Sequence, residues 1–346
     1  MIAAVSILTL VASAFGNPFP ASDRLEARQT CTINSLSSVS AAESCNTITI
    51  EGLILSAGEK LVINAADKAI INMKVNGNGF TIDGQGAKYW DGQGTASSAT
   101  QAKPHPMINC SGTVQNVKVL NSPAQVFSMG NDASLLVSNI NIDNSAGNAA
   151  NKLSGGKPAA HNTDGFDVST NDVTIQDSTI VNQDDCIAIN KGSNIIFQNN
   201  HCTGGHGISI GSVASGSTVS SVQITNNTVT NNVQALRIKT DADATSGSVS
   251  GVTYKDNTAA GCTDYGIIID QSYPSTLSKN TGAGIKISGI TFTGTNNVAV
   301  ASSAKGQVEV NCAQGGCIGN WDWAGLKVSG GPSGSIVNAT ITSFKL

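Results

Sequence analysis

The sequence predicts an all-β solenoid, a right-handed parallel β-helix with a short N-terminal helical cap. Three observations carry this. Short β-branched runs recur with Asn-rich turns between them: VTIQDSTI from Val173, IIFQNN from Ile195, VQITNNTV from Val222, VTYKDNT from Val252 and ITFTGTN from Ile290. A second set of runs lies among these: DGFDVS from Asp164, DCIAIN from Asp185, HGISIG from His206, QALRIK from Gln234 and YGIIID from Tyr265, with starts 21, 21, 28 and 31 residues apart. Helical periodicity is nearly absent, and its one candidate, near Ser35–Ser44, supplies the cap.

At the N-terminus, MIAAVSILTLVASAFG is apolar for too short a distance to span a bilayer. With small residues at Ala12-Ser13-Ala14 it reads as a signal peptide over 1–16. NPFPASDRLEAR, residues 17–28, reads as a propeptide ending at Arg28. A single catalytic-size domain then occupies 29–346. Eight cysteines in a secreted context favour disulfides. Three pairs are close in sequence, Cys31 with Cys45, Cys186 with Cys202 and Cys312 with Cys317, leaving Cys110 and Cys262 either paired or buried as thiols. Sequons at Asn226 and Asn338 are expected glycosylation sites, and a third at Asn109 carries Cys in its middle position.

The repeated coils place residues in space. Two apolar positions at period two form the buried face of a strand, and repeats of this length with no helix suit a β-helix coil. A β-propeller would need hairpin turns, and two-residue Asn-Gly or Asp-Gly signals are sparse. In a β-helix, equivalent positions stack at strand spacing, about 4.8 Å. The first position of the second repeat then forms a column of Asp164, Asp185, His206, Gln234 and Tyr265. The fourth forms Asp167, Ala188, Ser209, Arg237 and Ile268, and the sixth Ser169, Asn190, Gly211, Lys239 and Asp270.

In NQDDCIAIN at 182–190, neighbouring strand residues Asp184 and Asp185 should point to opposite faces. For both to reach one cleft, the chain must bulge at the strand's start. Asp164, Asp184, Asp185 and His206 then cluster, and carboxylates about 5 Å apart push one another's pKa upward. A protonated carboxyl beside an ionised one can serve glycosidic hydrolysis, one as acid and one as base for water. A lone Asp at a strand entrance usually caps a turn, and an Asp cluster can bind Ca²⁺. The convergence of three carboxylates, a His, an Arg and a Lys on adjacent coils favours catalysis over either.

Four motifs, NTD at 162–164, QDD at 183–185, GHG at 205–207 and RIK at 237–239, resemble in order and spacing those of the polygalacturonases, glycoside hydrolase family 28. NSPAQ at 121–125 and the flanks of Cys186 and Cys202 extend the similarity, which is closest to secreted fungal endo-acting enzymes. The resemblance implies random, inverting hydrolysis of α-1,4-galacturonosyl bonds in polygalacturonan. It implies that Asp184 is the general acid, that Asp164 and Asp185 activate the water, and that His206 supports the acid. Arg237 and Lys239 would hold the substrate carboxylate, and Asn162 and Tyr273 would contact substrate. The column alignment points instead to Tyr265. Many relatives carry a final cysteine pair, whereas this chain ends TITSFKL.

The net charge is −4, charged residues are 12% of the chain, and no basic run occurs. Nucleic acid and membrane are therefore not expected partners. The expected protein is a secreted monomer acting on pectin, with no metal and no cofactor. The alternatives are a lyase-like enzyme that uses Ca²⁺ for β-elimination, a rhamnogalacturonan-directed hydrolase, and a non-catalytic wall-binding protein. The intact carboxylates argue against the last.

Overall fold

The computed structural model describes residues 30–45, 47–50, 70–72, 75–76, 81–100, 102–104, 112–130 and 134–346. The expected signal peptide and propeptide, Cys110 and the Asn109 sequon lie outside them. The helical cap is a 3-10 turn, Leu36–Ser38, running into one helical turn, Val39–Ala42, and Cys31 is bonded to Cys45 across it.

Beyond the cap the chain winds as the expected right-handed parallel β-helix. Among the described residues three long sheets hold nine, eight and nine strands, and successive strands of each sheet come from successive coils. All strand pairs are parallel, which removes the hairpins a propeller requires. The β-branched runs pair as the alignment expects: Val173 stands beside Ile195, Ile195 beside Val222, Val222 beside Val252 and Val252 beside Ile290. Each contributes alternate buried residues to one continuous core. Phe127, Phe166 and Phe197 stack inside the middle of the helix, and Tyr254, Phe292 and Trp323 nearer the C-terminus.

The turns follow from Asn chemistry. Asn200, Asn227, Asn257 and Asn296 form a buried ladder in which the side-chain oxygen of each of the last three accepts a hydrogen bond from the backbone N–H of the Asn one coil earlier, and that of Asn200 from the N–H of Ser178. Asn tolerates the tight corner while its amide satisfies backbone groups that the corner strips of partners. Cys186–Cys202 and Cys312–Cys317 are disulfides, as expected. Cys262 is a buried thiol, its pKa pushed up to about 11 by burial. Asn226 and Asn338 are exposed, though each amide nitrogen donates a hydrogen bond, to Asn199 and to the Cys312 carbonyl. The last coil has no final cysteine pair. Trp321 and Trp323, both fully buried, stack on each other, Phe344 from the tail packs on Trp323, and the strand Thr340–Thr342 pairs with Asn320–Asp322.

Candidate active site

The eight-stranded sheet carries the site on its outer face. Its strands Phe166–Val168, Asp185–Ile189, Gly207–Val213 and Gln234–Asp241 lie side by side. The fourth column is observed as expected: Asp167, Ala188, Ser209, Arg237 and Ile268 stand in register, and Lys239 is beside Asp270. The first column is kept at Gln234 and Tyr265 but broken earlier. Asp185 stands opposite Gly207 rather than His206, because the register shifts between Asp185 and Ile187.

That shift is the expected bulge, and Cys186 is the extra residue. It points into the core, where it is bonded to Cys202. The residue opposite must be a glycine: Gly207 has φ +87°, and a Cβ there would meet the Gln234 carbonyl at 2.2 Å. The bulge leaves Asp184 and Asp185 on the same cleft with different partners. Asp185 Oδ1 accepts hydrogen bonds from Ser209 Oγ at 2.6 Å and Arg237 Nη2 at 2.6 Å, and Oδ2 accepts one from Lys239 Nζ at 2.9 Å. Arg237 Nε also donates to Ser209. Asp184 Oδ1 is 3.0 Å from His206 Nδ1, and Asn162 Nδ2 donates to Oδ2 at 3.2 Å. The backbone N–H of His206 is tied to the Asp184 carbonyl, so the two residues are fixed twice. Asp164 sits one coil earlier, 7% exposed, and its Oδ1 has no hydrogen-bond partner among the described residues.

The electrostatics separate these carboxyls. Burial raises the pKa of Asp164 well above the usual carboxylate range, and the charges of Asp184, Asp167 and Asp185 raise it further. Asp167 is pushed up to about 7 by burial and then by Asp185 and Asp184. Burial pushes Asp184 the same way. The hydrogen bond and charge of His206, with Lys239 and His161 behind them, overcome it and hold Asp184 below the usual range. Burial alone would lower His206, but its hydrogen bond to Asp184 wins and its pKa rises. At acid pH the cleft thus keeps protons on Asp164 and Asp167 and another within the Asp184–His206 pair.

Every residue expected from the motifs reaches this cleft, three of them with protein partners that the motifs did not indicate. Arg237 and Lys239 are engaged by Asp185, and Asn162 faces Asp184. Tyr273 stands beside Lys239, its ring centroid 5.2 Å from Lys239 Nζ. Tyr265 stands beside Gln234, as its column requires, 8% exposed, with Asp264, Lys305, Glu309 and Asp270 around its hydroxyl. Three residues received no role from the sequence. Ser209 bridges Arg237 to Asp185. Asp167 faces the same carboxylates. His161, 3.9 Å from Asp184, directly precedes the NTD motif and carries no signal of its own.

The glycosyl hydrolases family 28 model matches residues 23–344. An endo-polygalacturonase of Sclerotinia sclerotiorum is 44% identical over 262 residues, covering 73% of this chain, and the chain spans 64% of that relative's length. Endopolygalacturonase B of Emericella nidulans is 36% identical over 97% of this chain and 95% of its own. The solved structure of endopolygalacturonase I from Stereum purpureum, complexed with two galacturonate, matches with TM-score 0.72 and 41% identity, covering 90% of this chain and 98% of that one.

Proposed function

The chain belongs to family 28 of the glycosyl hydrolases, and we propose that it is an endo-polygalacturonase that cleaves α-1,4-galacturonosyl bonds of polygalacturonan with inversion. One observation carries this reading. Asp164, its pKa raised, Asp184, its pKa lowered, and Asp185 share a cleft with two fixed cations on the outer face of one sheet. A polymer with a carboxylate on each sugar needs such cations, since guanidinium and ammonium groups recognise carboxylates. Arg237 and Lys239 each direct one bond at Asp185, and their remaining N–H groups serve the substrate.

In this reading Asp184 is the acid. It shares a proton with His206 across the 3.0 Å contact, so the two titrate as a unit. Bound sugar displaces water, and a neutral His–carboxylic acid pair gains over the ion pair as the site dries. The proton then moves to Asp184 and on to the leaving oxygen. Asp164 and Asp185 hold the water on the opposite face of the sugar ring, and the unpartnered Oδ1 of Asp164 is free to accept from it. Asn162 orients Asp184, and Tyr273 with Lys239 walls the groove. Lyase chemistry is not favoured: Asp184, Asp185 and His206 have ligand atoms within 4.8 Å of one another, but a Ca²⁺ there would displace Lys239 and Arg237 from Asp185. On demethylated polygalacturonan, viscosity should fall well ahead of reducing-end release, and the first product seen by proton NMR should be the β anomer. An unsaturated product, or an initial α anomer, sinks the mechanism.

The charge states of the unliganded cleft favour a second division of labour, with Asp164 as acid and Asp184 as base. An activated leaving group separates the two. Asp184→Asn should lose at least about a hundredfold in kcat on the polymer, yet retain cleavage of a substrate whose leaving group needs no proton. If Asp164→Asn is the variant so rescued, the roles are reversed.

The protein acts outside the cell as a monomer, in this reading, after residues 1–28 are removed, with glycans at Asn226 and Asn338. Three disulfides support an oxidising compartment, and no helix among the described residues is long and apolar enough to cross a membrane. Mass spectrometry of the secreted protein checks both the new N-terminus and the glycans.

A further inference from the structure

A second buried ion pair lies at the edge of the cleft, outside the four motifs. Lys103 Nζ is 2.9 Å from Asp91 Oδ1, with side chains 2% and 0% exposed. Asp91 also accepts hydrogen bonds from the backbone N–H of Gln93 and of Thr100 and from the Thr100 hydroxyl. One carboxylate therefore cinches the loop 91–100 at three points. The same Lys103 ammonium donates to the Gly94 carbonyl. That carbonyl belongs to the peptide unit whose N–H is on Thr95, and the Thr95 N–H donates to Asn162 Oδ1 at 3.1 Å. Asn162 in turn donates from Nδ2 to Asp184.

An asparagine amide can sit in either of two flipped orientations. With its oxygen toward Asp184 it would repel the carboxylate. The Thr95 N–H, with the Thr95 hydroxyl at 3.4 Å, selects the orientation that presents Nδ2 to Asp184. A cation on the carbonyl of that peptide polarises its N–H, and hydrogen bonds in series strengthen one another. Gly94 has φ +58°, and a Cβ there would lie 2.1 Å from Asn162 Oδ1, so the loop fits against Asn162 with no room for a side chain.

We propose that the Lys103–Asp91 pair and the Gly94–Thr95 peptide it grips are positioning groups for Asp184, acting through Asn162. The proposal rests on the reading of Asp184 as a proton-transfer group. His161, His206, Lys239, Asp164, Asp185 and Asp167 also face or perturb Asp184, so its proton affinity has several sources, and the loop 91–100 with Lys103 governs the share that Asn162 delivers. A carboxylate that loses a donor holds its proton more tightly. Whichever limb of the pH profile belongs to Asp184 therefore moves upward when the chain of contacts is cut.

Two variants cut it at different points. Lys103→Met removes the cation. Gly94→Ala leaves the ion pair in place and pushes Asn162 aside, so its result stands alone if Lys103→Met loosens the loop. Each should lower kcat on polygalacturonan about tenfold, with little change in KM, and move one limb of the kcat/KM profile upward by about half a pH unit or more. In an Asn162→Ala background neither should have a further effect, because all act through one side chain. The side-chain amide signals of Asn162 in ¹⁵N NMR should also move in both variants, a readout that needs no turnover. A wild-type enzyme inert on polygalacturonan would undo the proposed function and leave that NMR test intact. An unchanged pH profile and Asn162 signal in Gly94→Ala, or losses that multiply with Asn162→Ala, overturn the positioning role.

Discussion

Replacing Asp167 with Asn should stabilise the protein near neutral pH and leave it unchanged in acid. Burial of Asp167, with the charges of Asp185 on the next strand and of Asp184 adding to it, raises its pKa from 3.8 to about 7. A raised folded pKa means the unfolded chain ionises first. Between pH 3.8 and about 7 the unfolded state has lost a proton that the folded state keeps, so stability falls as pH rises. Each pKa unit is worth about 1.4 kcal/mol, so the full gap amounts to about 4 kcal/mol. Asn keeps the shape and removes the titration, and about 2–4 kcal/mol should return by pH 8. Below pH 3.8 Asp167 is protonated in both states and the substitution has nothing to relieve. Urea unfolding at pH 3 and pH 8 measures this directly. An equal midpoint shift at the two pH values, or none at pH 8, would refute the placement of Asp167 among the cleft carboxylates.

Other outcomes follow from the same geometry. The wild-type protein should be most stable near pH 4. Asp184, depressed, supports the fold above about pH 3.8 and loses this as pH falls; His206, raised, supports it below about 6.5 and loses this as pH rises; Asp164 and Asp167, raised, erode stability upward from 3.8. A thermal-unfolding series across pH that peaks above 7 would contradict these assignments. Lys239→Ala should lower kcat and blunt discrimination against methyl-esterified pectin, since remote binding energy is used to orient the reacting bond; unchanged preference between acid and ester would mean that Lys239 serves Asp185 alone. Phe344→Ala should expose the fully buried Trp323 and cost about 2–4 kcal/mol, read as a lower unfolding midpoint with intact activity, because Phe344 follows the edge strand Gly334–Val337, three strands beyond Gln234–Asp241 in the cleft sheet.

What could be read without the fold, and what could not, divides along a physical line. The apolar pairs Phe166 and Val168, Ile187 and Ile189, Ile208 and Ile210 repeat at period two, and parallel stacking turns that pattern into a register. Asp167, Ser209 and Arg237 follow as neighbours from this alone. Parity also demanded a bulge beside Asp184 and Asp185, but it could not say which residue would be squeezed out. Cys186 is that residue because the core and its disulfide hold it, and this displaces Asp185 from His206 to Gly207 in the register. The loop 91–103 was illegible for a different reason. It has no period, and its contact with Asn162 spans 67 residues of sequence through one peptide N–H that any residue but proline could supply. The adjacent aspartates that appear redundant in the sequence therefore differ through their surroundings. Asp185 is bound by cations from two coils onward and by a serine between. Asp184 is bound by a histidine from the next coil and an asparagine from the previous one. Identical carboxyls acquire different partners only because the bulge sends one toward each set.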